Sequence, residues 1–232
     1  MKYGFFCLIL WLLFESCSKE PSALTTPTPV EKFLKLTVSK DNAPADNYTY
    51  AEIMAVTGRK PSAGDFLEFQ TDKGVFANNS NIYKVNIAAT DTTRAYVKYN
   101  KADVAHVTAR LANQDSKEVQ ITFVPAYPSQ ILIYPDSSTL RPLFTSKSMV
   151  TAKLLRTAGV VSEGQFLQYT DSAATDGRSI GIFLNGTYSG PQGTASVEYH
   201  LQDTSYHGFV YIIGSIVSGT NTITGRNRIF IK

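Results

Sequence analysis

The sequence predicts an all-β protein in which two β-sandwiches follow one another behind an export segment and a tether. Three observations carry that expectation: apolar residues alternate with polar ones over short runs, two motifs recur at a fixed offset, and the leading apolar segment ends at a cysteine. Of the 232 residues, 43% are hydrophobic and 18% charged, and the formal net charge is +3 at pH 7. So small and scattered a charge implies no nucleic-acid partner.

At the N-terminus, Lys2 precedes an apolar stretch over residues 3–14, and Ser16 then stands before Cys17, which is the anatomy of an export signal. The stretch is shorter than the ~20 residues needed to cross the hydrocarbon core. These residues resemble a bacterial lipoprotein precursor, although Phe14 and Glu15 depart from the small or branched apolar residues common there. The resemblance implies that residues 1–16 are removed as a signal peptide and that Cys17 is the lipidation site. It further implies an outer-membrane protein held through its N-terminal lipid, with Ser18-Lys19-Glu20 similar to the charged tags of members that face the cell exterior. Cys7 leaves with the signal, so the mature chain has no cysteine pair for an intramolecular disulfide. Residues 17–31 are rich in Pro, Ser and Thr and read as a flexible tether.

Beyond the tether, Gly64-Asp65-Phe66-Leu67-Glu68-Phe69 recurs as Gly164-Gln165-Phe166-Leu167-Gln168-Tyr169, and Ala95-Tyr96-Val97-Lys98-Tyr99 as Ala195-Ser196-Val197-Glu198-Tyr199, both at an offset of 100. One register held by two motifs indicates an internal duplication. Two modules are expected, 32–125 and 126–232, divided at Pro125-Ala126-Tyr127-Pro128.

The alternation places strands of the first module at 34–38, 51–56, 66–70, 82–87, 94–99, 104–111 and 119–124. Those of the second fall at 131–134, 150–156, 166–169, 180–184, 194–199, 208–217 and 228–231. Seven short strands in about 100 residues, separated by turn formers, describe an immunoglobulin-like sandwich. Within 94–99, Ala95, Val97 and Tyr99 share the core face while Arg94, Tyr96 and Lys98 share the solvent face. No later segment sustains capped helical spacing.

Three runs also resemble bacterial Ig-like domains of the invasin and intimin type: residues 36–46, the alternating Ala51-Glu52-Ile53-Met54-Ala55-Val56, and residues 66–76. The resemblance covers most of the first module and extends, through the repeat, to the second. It implies disulfide-free sandwiches strung in tandem on a surface protein. Family adhesins also carry a membrane barrel and a terminal binding domain, neither of which is read in this sequence, so host-cell adhesion does not follow from the resemblance alone.

Catalytic constellations are not found: there is no Gly-x-Ser-x-Gly elbow, zinc-binding His pair, phosphate loop or dinucleotide fingerprint. No enzyme and no cofactor is expected. His200 and His207 with Asp203 between them lack the further convergent ligands of a metal site, and His106 falls within a strand. Asp41, Asp46 and Asn47 could offer oxygens to calcium, but next to Pro44 they read first as turn formers, and no metal site is assigned. Tyr48, Tyr50, Tyr134, Tyr188 and Tyr206, in or beside loops, are the candidate ligand-binding residues, since exposed rings stack on sugars and anchor protein interfaces. The one tryptophan, Trp11, belongs to the signal. The expected function is a non-catalytic, lipid-anchored binding, adhesion or spacer protein at the cell surface. The alternative is an accessory glycan-binding lipoprotein of a polysaccharide-uptake system.

Overall fold

The computed structural model describes residues 34–58, 64–87, 91–111, 116–184 and 187–232. The signal peptide, Cys17 and the tether lie outside the described residues. Every regular element among the described residues is a strand. In the first half these are β1 (Leu34–Lys40), β2 (Ala43–Pro44), β3 (Ala51–Thr57), β4 (Phe66–Thr71), β5 (Val75–Phe76), β6 (Ile82–Asn86), β7 (Thr92–Lys98), β8 (Val104–Leu111) and β9 (Ser116–Val124). The second half holds β10 (Gln130–Pro135), β11 (Thr139–Leu140), β12 (Lys147–Leu155), β13 (Phe166–Ala173), β14 (Gly181–Leu184), β15 (Thr187–Tyr188), β16 (Thr194–Leu201), β17 (Gly208–Ser218) and β18 (Asn221–Ile231).

Each half is a two-sheet sandwich with the same strand order. Sheet β1-β3-β7-β5 faces sheet β2-β9-β8-β4-β6, and sheet β10-β12-β16-β14 faces sheet β11-β18-β17-β13-β15. Even the minority parallel pairings repeat, β2 with β9 and β11 with β18. The alternation read from the sequence is what builds these layers: along β3, Ala51, Ile53, Ala55 and Thr57 point inward and the residues between them do not. Ala95 and Val97 are fully buried, Tyr99 packs on the same core, and Tyr96 is exposed, as the pleat requires.

All fourteen expected strands overlap an observed one, but each sandwich has nine strands among the described residues where seven were expected. The four additions, β2, β5, β11 and β15, have two residues each, too few for a period to register. β18 begins at Asn221, seven residues before the expected start at 228, because a two-residue turn with Gly219 at φ 60° lets the chain reverse at once. Its first residues are threonine- and asparagine-rich and read as loop in the sequence.

Two cores result. One packs Leu67, Phe69, Phe76 and Phe123 with Ile53 and Ile121; the other packs Tyr199, Leu167, Leu201 and Ile180 with Val150 and Val210. Between them the contacts are polar. Ser162, fully buried, accepts a hydrogen bond from the Ala126 amide at 2.7 Å and donates to the Ala45 carbonyl at 2.8 Å. The Val160 amide donates to the Asp46 carbonyl and the Glu163 amide to the Asn100 carbonyl, both at 2.8 Å.

Candidate functional site

The connection from β1 to β3 is a turn organised around Asp46, whose side chain is 1% exposed. Its Oδ1 accepts the amides of Tyr48 at 2.9 Å and Thr49 at 2.6 Å, and its Oδ2 accepts the Thr49 hydroxyl at 2.9 Å. Asn47 takes a positive φ of 54° and donates its amide to the Tyr99 carbonyl at 2.9 Å, tying the turn to the end of β7. The consequence is that Tyr48 stands clear of the surface, 65% exposed, on a fixed backbone.

Beside it lies an open cleft of about 490 Å³. Tyr48, Tyr50 and Tyr96 wall it, with Lys40, Lys98 and Glu52 at its rim. The Tyr50 and Tyr96 rings meet edge to face, centroids 6.4 Å apart and planes at 77°. Lys98 Nζ lies 5.8 Å from the Tyr50 centroid, and Arg94 Nη1 sits 3.2 Å from Glu52 Oε1, which leaves Glu52 partly neutralised. Rings that supply flat apolar area and hydroxyls, with ammonium groups alongside, can hold a polyhydroxylated or a peptide ligand.

Two of the five expected tyrosines, Tyr48 and Tyr50, share this cleft. Tyr96 and Lys98 were not among the expected site residues, though the signal was present: the alternation that buries Ala95 and Val97 must turn them outward. Tyr134, 50% exposed on β10, stands apart from the cleft. Tyr188 is 64% exposed and packs on Phe166 of the neighbouring strand, centroids 5.4 Å apart. Tyr206 does not present an exposed ring. It is 5% exposed and its hydroxyl donates to the Phe209 carbonyl at 2.6 Å, since a tyrosine at the entry to β17 can cover the core with its ring and cap the strand with its tip.

The oxygens weighed for calcium have other work. Asp46 orders its own turn, and Asp41 Oδ1 accepts the Thr122 amide at 2.7 Å. His106 pairs with Glu118 at 2.9 Å, His200 with Glu198 at 2.8 Å, and His207 contacts the Lys232 carbonyl at 2.6 Å. Asp203 is held by the Ser205 hydroxyl and by Arg178, which bring its pKa down to about 2. Among the described residues no group of three or more His, Cys, Asp or Glu converges on a point.

No protein-family model matches the chain, and no curated protein matches it in sequence. Solved structures do. The crystal structure of invasin, a bacterial integrin-binding protein, is similar with a TM-score of 0.55 and 18% identity, over 85% of this chain and 39% of that one. The Yersinia pseudotuberculosis adhesin InvE is similar with a TM-score of 0.56 and 13% identity, over 86% of this chain and 58% of that one. The chain thus spans less than two thirds of the length of either adhesin. What it shares with them is the all-β, immunoglobulin-like fold.

Proposed function

We propose that this chain is a non-catalytic binding protein of the cell surface, built of modules 32–125 and 126–232 and anchored to the outer membrane through lipid on Cys17, with the tyrosine cleft as its contact site. The observation that carries the reading is the Asp46 turn, which fixes Tyr48 outward beside Tyr50 and Tyr96. The fold shared with adhesin domains is consistent with display and recognition, and no nucleic-acid role is assigned. Cells displaying the chain are to be compared with cells displaying Tyr48→Ala together with Tyr96→Ala. The variant is expected to lose attachment and aggregation at equal surface level; unchanged attachment removes the cleft from the contact. In the same cells Cys17→Ala is expected to release the protein from the membrane fraction, and retention there overturns the lipid anchor.

A second reading, an accessory glycan-binding lipoprotein, is favoured by the hydroxyl-bearing rings of the cleft. Saturable signal on a glycan array, lost with the same tyrosine pair, supports it over a protein partner.

A further inference from the structure

The outer face of sheet β11-β18-β17-β13-β15 differs in charge from its counterpart in the first sandwich. On the counterpart, Glu68 stands in register between Lys84 and Arg110, and His106 pairs with Glu118 at 2.9 Å, so charges are matched within the face. On the second sandwich, strands β11, β13, β15, β17 and β18 contain one acidic residue, Asp171, and it is turned into the core. Within these five strands the cations are Arg226 and Arg228, two residues apart on β18, both exposed and both pointing outward. Among the described residues neither guanidinium meets a carboxylate; each rests on a ring. Arg228 Cζ lies 4.3 Å from the Phe209 centroid and Arg226 Cζ 5.5 Å from that of Tyr211. Phe209 is braced in turn by Phe230, centroids 5.0 Å apart, and the two rings remain 39% and 38% exposed.

A guanidinium resting on a ring gives up little hydrogen-bonding capacity, because its N–H groups point along its plane. Side chains two apart on a strand are roughly 7 Å apart. The pair therefore presents two oriented forks to carboxylates repeated along an extended ligand. On the other side of β17, strand β13 turns Gln168 and Thr170 outward, an amide and a hydroxyl suited to sugar hydroxyls. A uronate polymer offers both chemistries along one chain, carboxylates for the forks and hydroxyls for the amide and hydroxyl.

We propose that this sheet face binds an acidic polysaccharide carrying uronate carboxylates, with Arg226 and Arg228 as the carboxylate contacts. It is a site separate from the tyrosine cleft. The probe is polygalacturonate, with dextran as the neutral polymer and poly-L-glutamate as the acidic polypeptide, titrated onto the full chain. Saturable binding of polygalacturonate and not dextran is expected, weakening as salt rises. R226Q with R228Q is expected to lower affinity by about tenfold or more. R228K, which keeps the charge and loses the planar fork, is expected to fall between. K84Q with R110Q on the first sandwich is expected to leave binding unchanged; binding lost in Tyr48→Ala with Tyr96→Ala but kept in the arginine variants places the polymer in the cleft and overturns this site, so failure of this site and failure of the cleft are told apart. No saturable binding, or equal binding by the arginine variants, overturns the proposal. Poly-L-glutamate bound as tightly and lost in the same variants also overturns it, by reassigning the face to an acidic polypeptide.

Discussion

Asp171 shows how a single side chain sets the second core. It is 9% exposed and takes hydrogen bonds from the Ser179 hydroxyl, the amides of Ile180 and Gly181 at 2.9 Å each, and the Tyr199 hydroxyl at 2.9 Å. Burial, and then the neighbouring Asp171, push the Tyr199 pKa up, so this tyrosine serves as a donor and not as an anion. Removing the carboxyl leaves three buried donors, the Ile180 and Gly181 amides and the Tyr199 hydroxyl, without this acceptor, while the exposed Ser179 hydroxyl keeps the Gly181 carbonyl at 3.0 Å. Asp171→Ala is expected to lose about 3 kcal/mol or more, and Tyr199→Phe about 1 kcal/mol, in urea unfolding. Near-equal losses would mean that the amides find other acceptors. The sequence held half of this. Tyr199 repeats Tyr99 at the offset of 100, but Thr71 stands where Asp171 does, and nothing in the run shows that an inward polar position collects four donors. For the same reason Tyr206 read as a loop ring, because the partner that draws it inward is a backbone carbonyl.

At the scale of elements, the β17–β18 hairpin is the longest ladder among the described residues, with eleven paired positions from Gly208↔Ile231 to Ser218↔Asn221. It approaches β10 at Gly225. A Cβ there would stand 2.1 Å from the Ile131 carbonyl oxygen and 2.8 Å from the Ile131 Cβ, so the two sheets close only over a residue without a side chain. Gly225→Ala is expected to cost about 2–3 kcal/mol by forcing the backbones apart, read as a lowered urea midpoint. An unchanged midpoint would show that β10 yields freely. Strands with several alternating residues, such as β3, β7 and β8, were legible in the sequence because burial imposes the period. The two-residue strands were not, since their pairing is decided by the neighbour they reach: Ala43 by Phe123, Thr139 by Phe230. The cleft lay between these cases. Tyr48 and Tyr50 were recognisable as loop rings, whereas Tyr96 joins them only because β7 pairs beside β3, with Glu52 opposite Tyr96.

In the whole molecule there are two sandwiches of like strand order, and the way they meet ties one of them to the cleft. Asp46 belongs to both arrangements. Its carboxyl orders the turn that carries Tyr48, its carbonyl accepts the Val160 amide, and Arg156 Nη2 of the second sandwich lies 3.6 Å from its Oδ2. Gly159, at φ 71°, permits this approach: a Cβ would stand 2.6 Å from the Asp46 carbonyl oxygen and 2.9 Å from its Cγ. None of this is visible in sequence, because the partners are more than a hundred positions apart and neither repeat contains a copy of the contact. The geometry has a consequence for mobility. A valine at 159 adds both steric clash and an unfavourable backbone conformation, and the second sandwich must withdraw from the turn that presents Tyr48. In Gly159→Val, hydrogen exchange is expected to quicken at the amides of Val160 and Glu163, which face the junction, and at those of Tyr48 and Thr49, which do not touch the second sandwich by their own bonds. Amides of β8 and β17 should keep their protection, since both cores remain packed. Quickening at Val160 and Glu163 with no change at Tyr48 and Thr49 would mean that the turn stands on the Asp46 carboxyl alone, and that the cleft is a property of the first sandwich and not of the pair.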